Sequence, residues 1–284
     1  MIVLYLTCLV PFLHDVTSLQ DYFKYGFSVE MGQSYATAVN DVPFHVLVVY
    51  GSLYCSGSLL RSKIVITTAG CMTAGGRQRT YVKVGGSSIT GLGQVIPVVE
   101  IKIHEYFRYY SRMDNDIAML VLKENVQFSS RVKKVLLIDG ENEVEPGVII
   151  EVSGWASQSV PQKYANLLLK ADMVIMDRDA CVEKFQNLIT SSNYCARHHP
   201  ERRVNDIGGP ATHKEMLVGI LSFTGTNEHK PDVAVFTNIS YFYRWILLNT
   251  KRFIEKYCVL PKNSLQSYSN LSSAEAHISR VLYR

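Results

Sequence analysis

After its first thirteen residues the chain has no apolar run near the ~20 residues that a bilayer-spanning helix needs. It also lacks a long Lys/Arg run, and a formal net charge of +4 over 284 residues is too small to argue for nucleic acid. The short basic clusters, Arg131–Lys134 and Lys251–Arg252, read as solvated faces. No two cysteines have the close spacing of a metal-binding pair. His198-His199 with Glu201 makes a poor metal set, because adjacent residues of a strand point to opposite faces. Neither a metal nor a cofactor is expected, and neither nucleic acid nor membrane is expected as a partner. At 47% hydrophobic and 19% charged, the chain is too apolar to be disordered throughout.

An apolar stretch, MIVLYLTCLVPFL, opens the sequence. It fits a secretory signal peptide over 1–18, although no Lys or Arg precedes it; a buried N-terminal strand is the other reading. Cys8 would leave with the signal. Cys55, Cys71, Cys181, Cys195 and Cys258 remain, an odd number. In a secreted protein, two disulfides and one leftover thiol follow, and the short spacings suggest Cys55–Cys71 and Cys181–Cys195. Cys258 would be free or joined to a second molecule.

Short runs rich in Val, Ile, Leu and Tyr recur: 45–50, 62–69, 81–86, 94–104, 116–122, 147–155 and 167–176. Turn formers such as Gly51-Ser52, Gly85-Gly86 and Pro146-Gly147 separate them, which suggests an all-β sandwich or barrel. Two helices are predicted, a short one over Arg178–Gln186 and a stronger one from Ser240 to about Tyr257, where Phe242, Trp245, Ile246, Leu248 and Phe253 recur near helical spacing. After Pro261 the composition turns polar, and 258–284 is expected to be a disordered tail.

More specific are several short segments in a fixed order. Pro43-Phe44-His45-Val46, Cys55-Ser56-Gly57-Ser58-Leu59-Leu60 and Thr67-Thr68-Ala69-Gly70-Cys71 come first. Asp114-Asn115-Asp116-Ile117-Ala118, Ser153-Gly154-Trp155 and Asn205-Asp206-Ile207-Gly208-Gly209-Pro210 follow. Val218–Phe223, Val235–Ser240 and Trp245-Ile246 close the series. Together they resemble the trypsin/chymotrypsin family over roughly 31–250. The resemblance implies two six-stranded antiparallel barrels with a C-terminal helix and a cleft between the barrels. It also implies a short pro-like segment over 19–30 and a protease-like domain over 31–257.

The family's chemistry needs a serine nucleophile, a histidine to take its proton, an aspartate to orient the histidine, and two backbone N–H groups for the oxyanion. At the matching positions stand Ile207, Gly70 and Asp116. Asn205 and Ile207 match the oxyanion positions, Asn205 replacing a glycine. Loss of serine or histidine alone costs ~10⁶ in turnover in subtilisin. On this ground the chain is expected not to be an enzyme, with no intact catalytic residue. His104, His198, His199 and His213 could supply a displaced base but not a nucleophile.

Around the specificity pocket the resemblance points to Glu201, Ser222, Phe223 and Thr224; the other reading of Glu201 is a charged loop residue paired with Arg202 or Arg203. Ser222 matches a family serine that contacts the aspartate. Arg203 stands where the family has a cysteine, and that cysteine's partner is absent too. No basic residue stands at the activation junction, near Glu30-Met31. Asp206 should therefore lack its usual amine partner and be exposed or bound to local N–H groups. Asn238 and Asn270 head glycosylation sequons. The resulting expectation is a secreted, non-catalytic protease homologue that binds a protease, an inhibitor or a protease substrate. The alternative is a serine-type endopeptidase with weak or relocated catalysis.

Overall fold

His45–Tyr50 shows no polar alternation, because both of its faces are buried. Val46, Val48 and Tyr50 enter one core cluster with Leu59, Val65, Val82 and Leu120. Leu47 turns the other way, into a second cluster with Val39, Val42, Trp155 and Leu168. Successive strand residues point to opposite faces, so one strand serves the inside of a barrel and its outer contact at once. A computed structural model describes residues 34–74, 79–155, 166–198, 206–224 and 232–257.

The first barrel is closed by six strands: β2 (His45–Tyr50), β3 (Leu53–Arg61), β4 (Ile64–Thr67), β5 (Thr80–Val84), β6 (Gln94–Ile103) and β7 (Ala118–Leu122), paired in the order β2-β3-β4-β7-β6-β5. Its only helix among the described residues is α1 (Ala69–Ala74). The second barrel uses β9 (Ile149–Gly154), β10 (Leu169–Ile175), β11 (Asn193–Arg197), β12 (Pro210–His213), β13 (Met216–Thr224) and β14 (Val233–Asn238). The β9–β10 pairing closes it, while β1 (Ser34–Ala36) adds to β10 and β8 (Leu136–Leu137) adds to β13. The predicted pair of six-stranded antiparallel barrels is therefore present.

Between β10 and β11 lies α2 (Arg178–Phe185), close to its predicted bounds. Asp177 caps it, its carboxylate accepting the N–H groups of Asp179 and Ala180. Cys181 and Phe185, four apart and so on one face, are buried in a cluster with Met113, Cys195 and Val235. Both predicted disulfides are formed, Cys55–Cys71 and Cys181–Cys195. The chain divides into two compact units, one ending at Tyr243 and one starting at Arg244. The last helix, α3 (Ile239–Tyr257), runs across that division. No helix among the described residues is long and apolar enough to cross a membrane. The signal, the pro-like segment, Cys8 and the 258–284 tail with Cys258 and Asn270 lie outside the described residues.

Candidate active site

Asp116 ends a tight turn just before β7, and Asn115 takes a positive φ of 52° to make that turn. The carboxylate is buried, which pushes its pKa up; hydrogen bonds from Ser222 and the Gly70 backbone oppose the rise. Its Oδ1 accepts the Gly70 N–H at 2.7 Å, and its Oδ2 accepts the Ser222 hydroxyl at 2.6 Å. Gly70 is the second residue of α1 and offers this carboxylate only its backbone. A Cβ built there would lie 3.5 Å from Asp116 Oδ1, an ordinary contact. The site thus has room for the beginning of a side chain.

Ile207 sits in the turn before β12, partly buried against the first-barrel core. Its carbonyl accepts the Ser56 N–H at 2.8 Å, which fastens this turn of the second barrel to β3 of the first. Gly208 follows with a φ of +87°, and a Cβ there would fall 2.0 Å from the Ser56 carbonyl oxygen. Only glycine fits so close an approach at that φ. Gly70, Asp116 and Ile207 are therefore brought to the meeting of the two barrels. Asn205 and Glu201 lie outside the described residues, as do His199 and Arg203. Phe223 is turned toward the second-barrel cluster, its ring 6.2 Å from that of Phe185, and Thr224 ends β13.

A second polar group joins the two barrels. His45, on the face of β2 turned toward the second barrel, places Nδ1 2.7 Å from Ser153 Oγ and Nε2 2.7 Å from Ser56 Oγ. Ser56 in turn donates to Asp206 Oδ2 at 2.6 Å, and the same oxygen accepts the Trp155 N–H at 2.7 Å. Because the Ser56 proton goes to the carboxylate, His45 Nε2 donates to Ser56 and Nδ1 accepts from Ser153. The result is a directed chain from Ser153 through His45 and Ser56 to Asp206. It is buried: His45 is 1%, Ser56 0%, Ser153 2% and Asp206 3% exposed. Burial lowers the His45 pKa to about 3 and raises that of Asp206 to about 6. Asp206 is thus neither exposed nor held by a neighbouring N–H; its partners are 150 and 51 residues away. The signal available in the sequence was a histidine at the head of an otherwise apolar strand, which must find partners when buried.

The model of the family described as Trypsin matches residues 32–246. The chain belongs to the trypsin family. Granzyme B of Rattus norvegicus is 31% identical over 209 residues, covering 71% of this chain and 82% of that protein. The vitellin-degrading protease of Bombyx mori is 28% identical over 215 residues, covering 73% and 81%. The crystal structure of scabies mite inactivated protease paralogue S-D1 shares the fold, with a TM-score of 0.69 and 24% identity over 81% of this chain and 99% of that one.

These findings correct one expectation. Gly70 and Ile207, read alone, predict that the chain is not an enzyme. A histidine, an aspartate and two serines are nevertheless joined in this trypsin-family chain, and its relatives bear the names of proteases. Loss of two side chains at one site does not establish inactivity.

Asn238 ends β14. Its side-chain oxygen accepts the Ser240 N–H at 3.1 Å at the start of α3. His104 donates its backbone N–H to the Ile117 carbonyl at 3.1 Å, His213 Nδ1 lies 3.0 Å from the Ile149 carbonyl oxygen, and His198 is buried. A cavity of 780 Å³ lined by Pro43, Phe44, Arg61, Phe128, Lys134 and Leu136 contains none of the site residues.

Proposed function

We propose that this trypsin-family chain works outside the cell by holding a polypeptide in the cleft between its barrels. The observation that carries the reading is the chemistry of the surface where the barrels meet. Ile207 presents an apolar, partly buried side chain, and both Asp116 oxygens are already occupied by Gly70 and Ser222. Such a surface offers apolar contact to a bound chain. The partner classes are a protease, an inhibitor or a protease substrate. Two disulfides and the apolar leader support an oxidising, extracellular setting.

A second reading is hydrolysis from a relocated set. It is favoured by the Ser153 hydroxyl on His45 Nδ1, with His45 oriented through Ser56 by Asp206. It requires opening, because every member is buried.

One experiment separates the two. The full chain is immobilised and offered a peptide pool from a digested proteome, with a fluorophosphonate probe in a parallel sample. Binding predicts peptides recovered uncut, retention lost in Ile207→Arg while that variant still unfolds in one cooperative transition, and no labelled serine. New peptide termini, with labelling at Ser153 that disappears in Ser153→Ala, would favour the second reading and overturn the first.

A further inference from the structure

The loop that joins β6 to β7 reads His-Glu-Tyr-Phe-Arg-Tyr-Tyr-Ser-Arg over 104–112. Tyr106, Tyr109 and Tyr110 are 61%, 65% and 80% exposed. Tyr241, at the start of α3, is 53% exposed. A continuous line of rings links them. Tyr241 meets Phe242 edge-on at 4.9 Å, and Phe242 meets His104 at 5.2 Å. His104 lies 6.1 Å from Tyr106, Tyr106 5.7 Å from Tyr109, and Tyr109 4.7 Å from Tyr110.

Exposed rings of this number cost solvation, so the loop needs anchoring to hold them outward. Buried Asp114 and Asn115 provide it. Asp114 accepts the Arg108 N–H through its backbone oxygen at 2.9 Å and the Tyr110 N–H through Oδ2 at 3.3 Å. Its Oδ1 accepts the hydroxyls of Thr190 and Ser192 at 2.7 and 3.0 Å. Asn115 Nδ2 donates to the Tyr106 carbonyl at 3.0 Å, and Ser111 Oγ donates to that of Leu188 at 3.3 Å. The loop is therefore ordered before any partner arrives, which removes part of the entropy cost of binding.

The charge on this face is one-sided. Glu105 is paired with Lys102, and Asp114 is buried. Arg108 and Arg112 are exposed. Tyrosine and arginine are the residue types that dominate binding energy at protein surfaces, tyrosine because its large rigid ring loses little freedom. Two arginines are too few to follow a polyanion.

We propose that the surface formed by Tyr106, Tyr109, Tyr110 and Tyr241 docks an acidic polypeptide segment, with Arg108 and Arg112 supplying the counter-charge. Its rings are not those of the cleft, although the Arg108 charge also reaches Asp116.

The test uses a displayed random-peptide library panned on the full chain and counter-selected on a Tyr109→Ser/Tyr110→Ser variant. Enriched peptides should be acidic with an aromatic or aliphatic anchor. Their affinity should fall about a hundredfold in the double tyrosine variant and about tenfold in Arg108→Glu/Arg112→Glu. It should weaken with salt, and it should survive Ile207→Arg. Melting temperatures should fall only slightly, because the substituted side chains are exposed and touch mainly one another and Phe107. Peptides without acidic bias, or peptides that bind the tyrosine variant equally well, would overturn the proposal. So would heparin binding lost in Arg108→Glu/Arg112→Glu while no tyrosine-dependent peptide is enriched.

Discussion

At the scale of single residues, His45 and Asp206 sit at opposite ends of one hydrogen-bonded chain, and burial acts on them with opposite signs. Asp206 has its pKa raised from 3.8 to about 6. Between those values the folded state holds a proton that the unfolded state has lost, so its contribution falls as pH rises. His45 has its pKa lowered from 6.5 to about 3. There the unfolded state holds the extra proton, so its contribution is complete above the unfolded value and falls as pH drops. From roughly pH 6 to 4 the two slopes, each about 1.4 kcal/mol per pH unit, oppose each other. Relative to the native chain, Asp206→Asn should lose stability as pH falls through that range, and His45→Gln should gain. Urea midpoints at three pH values check this; parallel curves for all three proteins would refute it. Gly208 makes a second residue-scale case. Gly208→Ala places a Cβ on the Ser56 carbonyl at a φ of +87°, whereas Gly147, at +85°, has nothing within 4 Å of its Cβ position. Gly147→Ala should cost about 1–2 kcal/mol from backbone strain alone. Gly208→Ala should cost clearly more, to the point of preventing accumulation of folded protein. Equal melting temperatures for the two variants would contradict that difference.

At the scale of elements, α1 carries a glycine where helix formation favours almost anything else. Gly70 needs no positive φ, and its Cβ would rest 3.5 Å from Asp116. Gly70→Ala is expected to raise stability by about 0.5–1 kcal/mol, by lowering the entropy of the unfolded chain and raising helix propensity. A lower thermal midpoint would show instead that α1 needs the bare backbone beside Asp116. The strands were legible to different degrees. His45–Tyr50 and Ala118–Leu122 announce themselves as apolar β-rich runs, and both are strands. Asn193–Arg197 reads Asn-Tyr-Cys-Ala-Arg, with no such pattern, yet it pairs along its length with Val233–Thr237. Its place is fixed by a neighbouring strand and a disulfide, which a local window cannot see. The same division holds at the site. Gly70, Asp116 and Ile207 could be found because they lie in short segments of recognisable order. His45, Ser56, Ser153 and Asp206 could not be joined, because they come from β2, β3, β9 and the turn before β12, and only the barrel closures bring them together.

At the scale of the whole molecule, that buried chain is also the bolt between the barrels. His45 and Ser56 belong to the first barrel, Ser153 to the second, and Asp206 and Trp155 to the loops leading from it. Around it lie the apolar contacts of Leu47 with Trp155 and Leu168, and beside it the Ser56 N–H reaches the Ile207 carbonyl. Apolar contacts between two smooth barrel surfaces are non-directional; the polar chain gives the joint one register. Ser56 is its centre, because it receives from His45 and gives to Asp206. Ser56→Ala leaves the His45 N–H without its acceptor and the Asp206 carboxylate with one donor fewer. Buried groups stranded in this way cost about 1–3 kcal/mol each, and more when charged. The backbone bond to Ile207 survives, so the fold should persist, less stable by roughly 2–5 kcal/mol on those figures. The barrels should also part company. In the native chain, hydrogen exchange of β2–β7 and of β9–β14 should share one unfolding free energy. In Ser56→Ala the two sets should separate, the less stable barrel opening first. If exchange stays uniform in the variant, the joint is held by the apolar cluster, and the histidine chain only fills it.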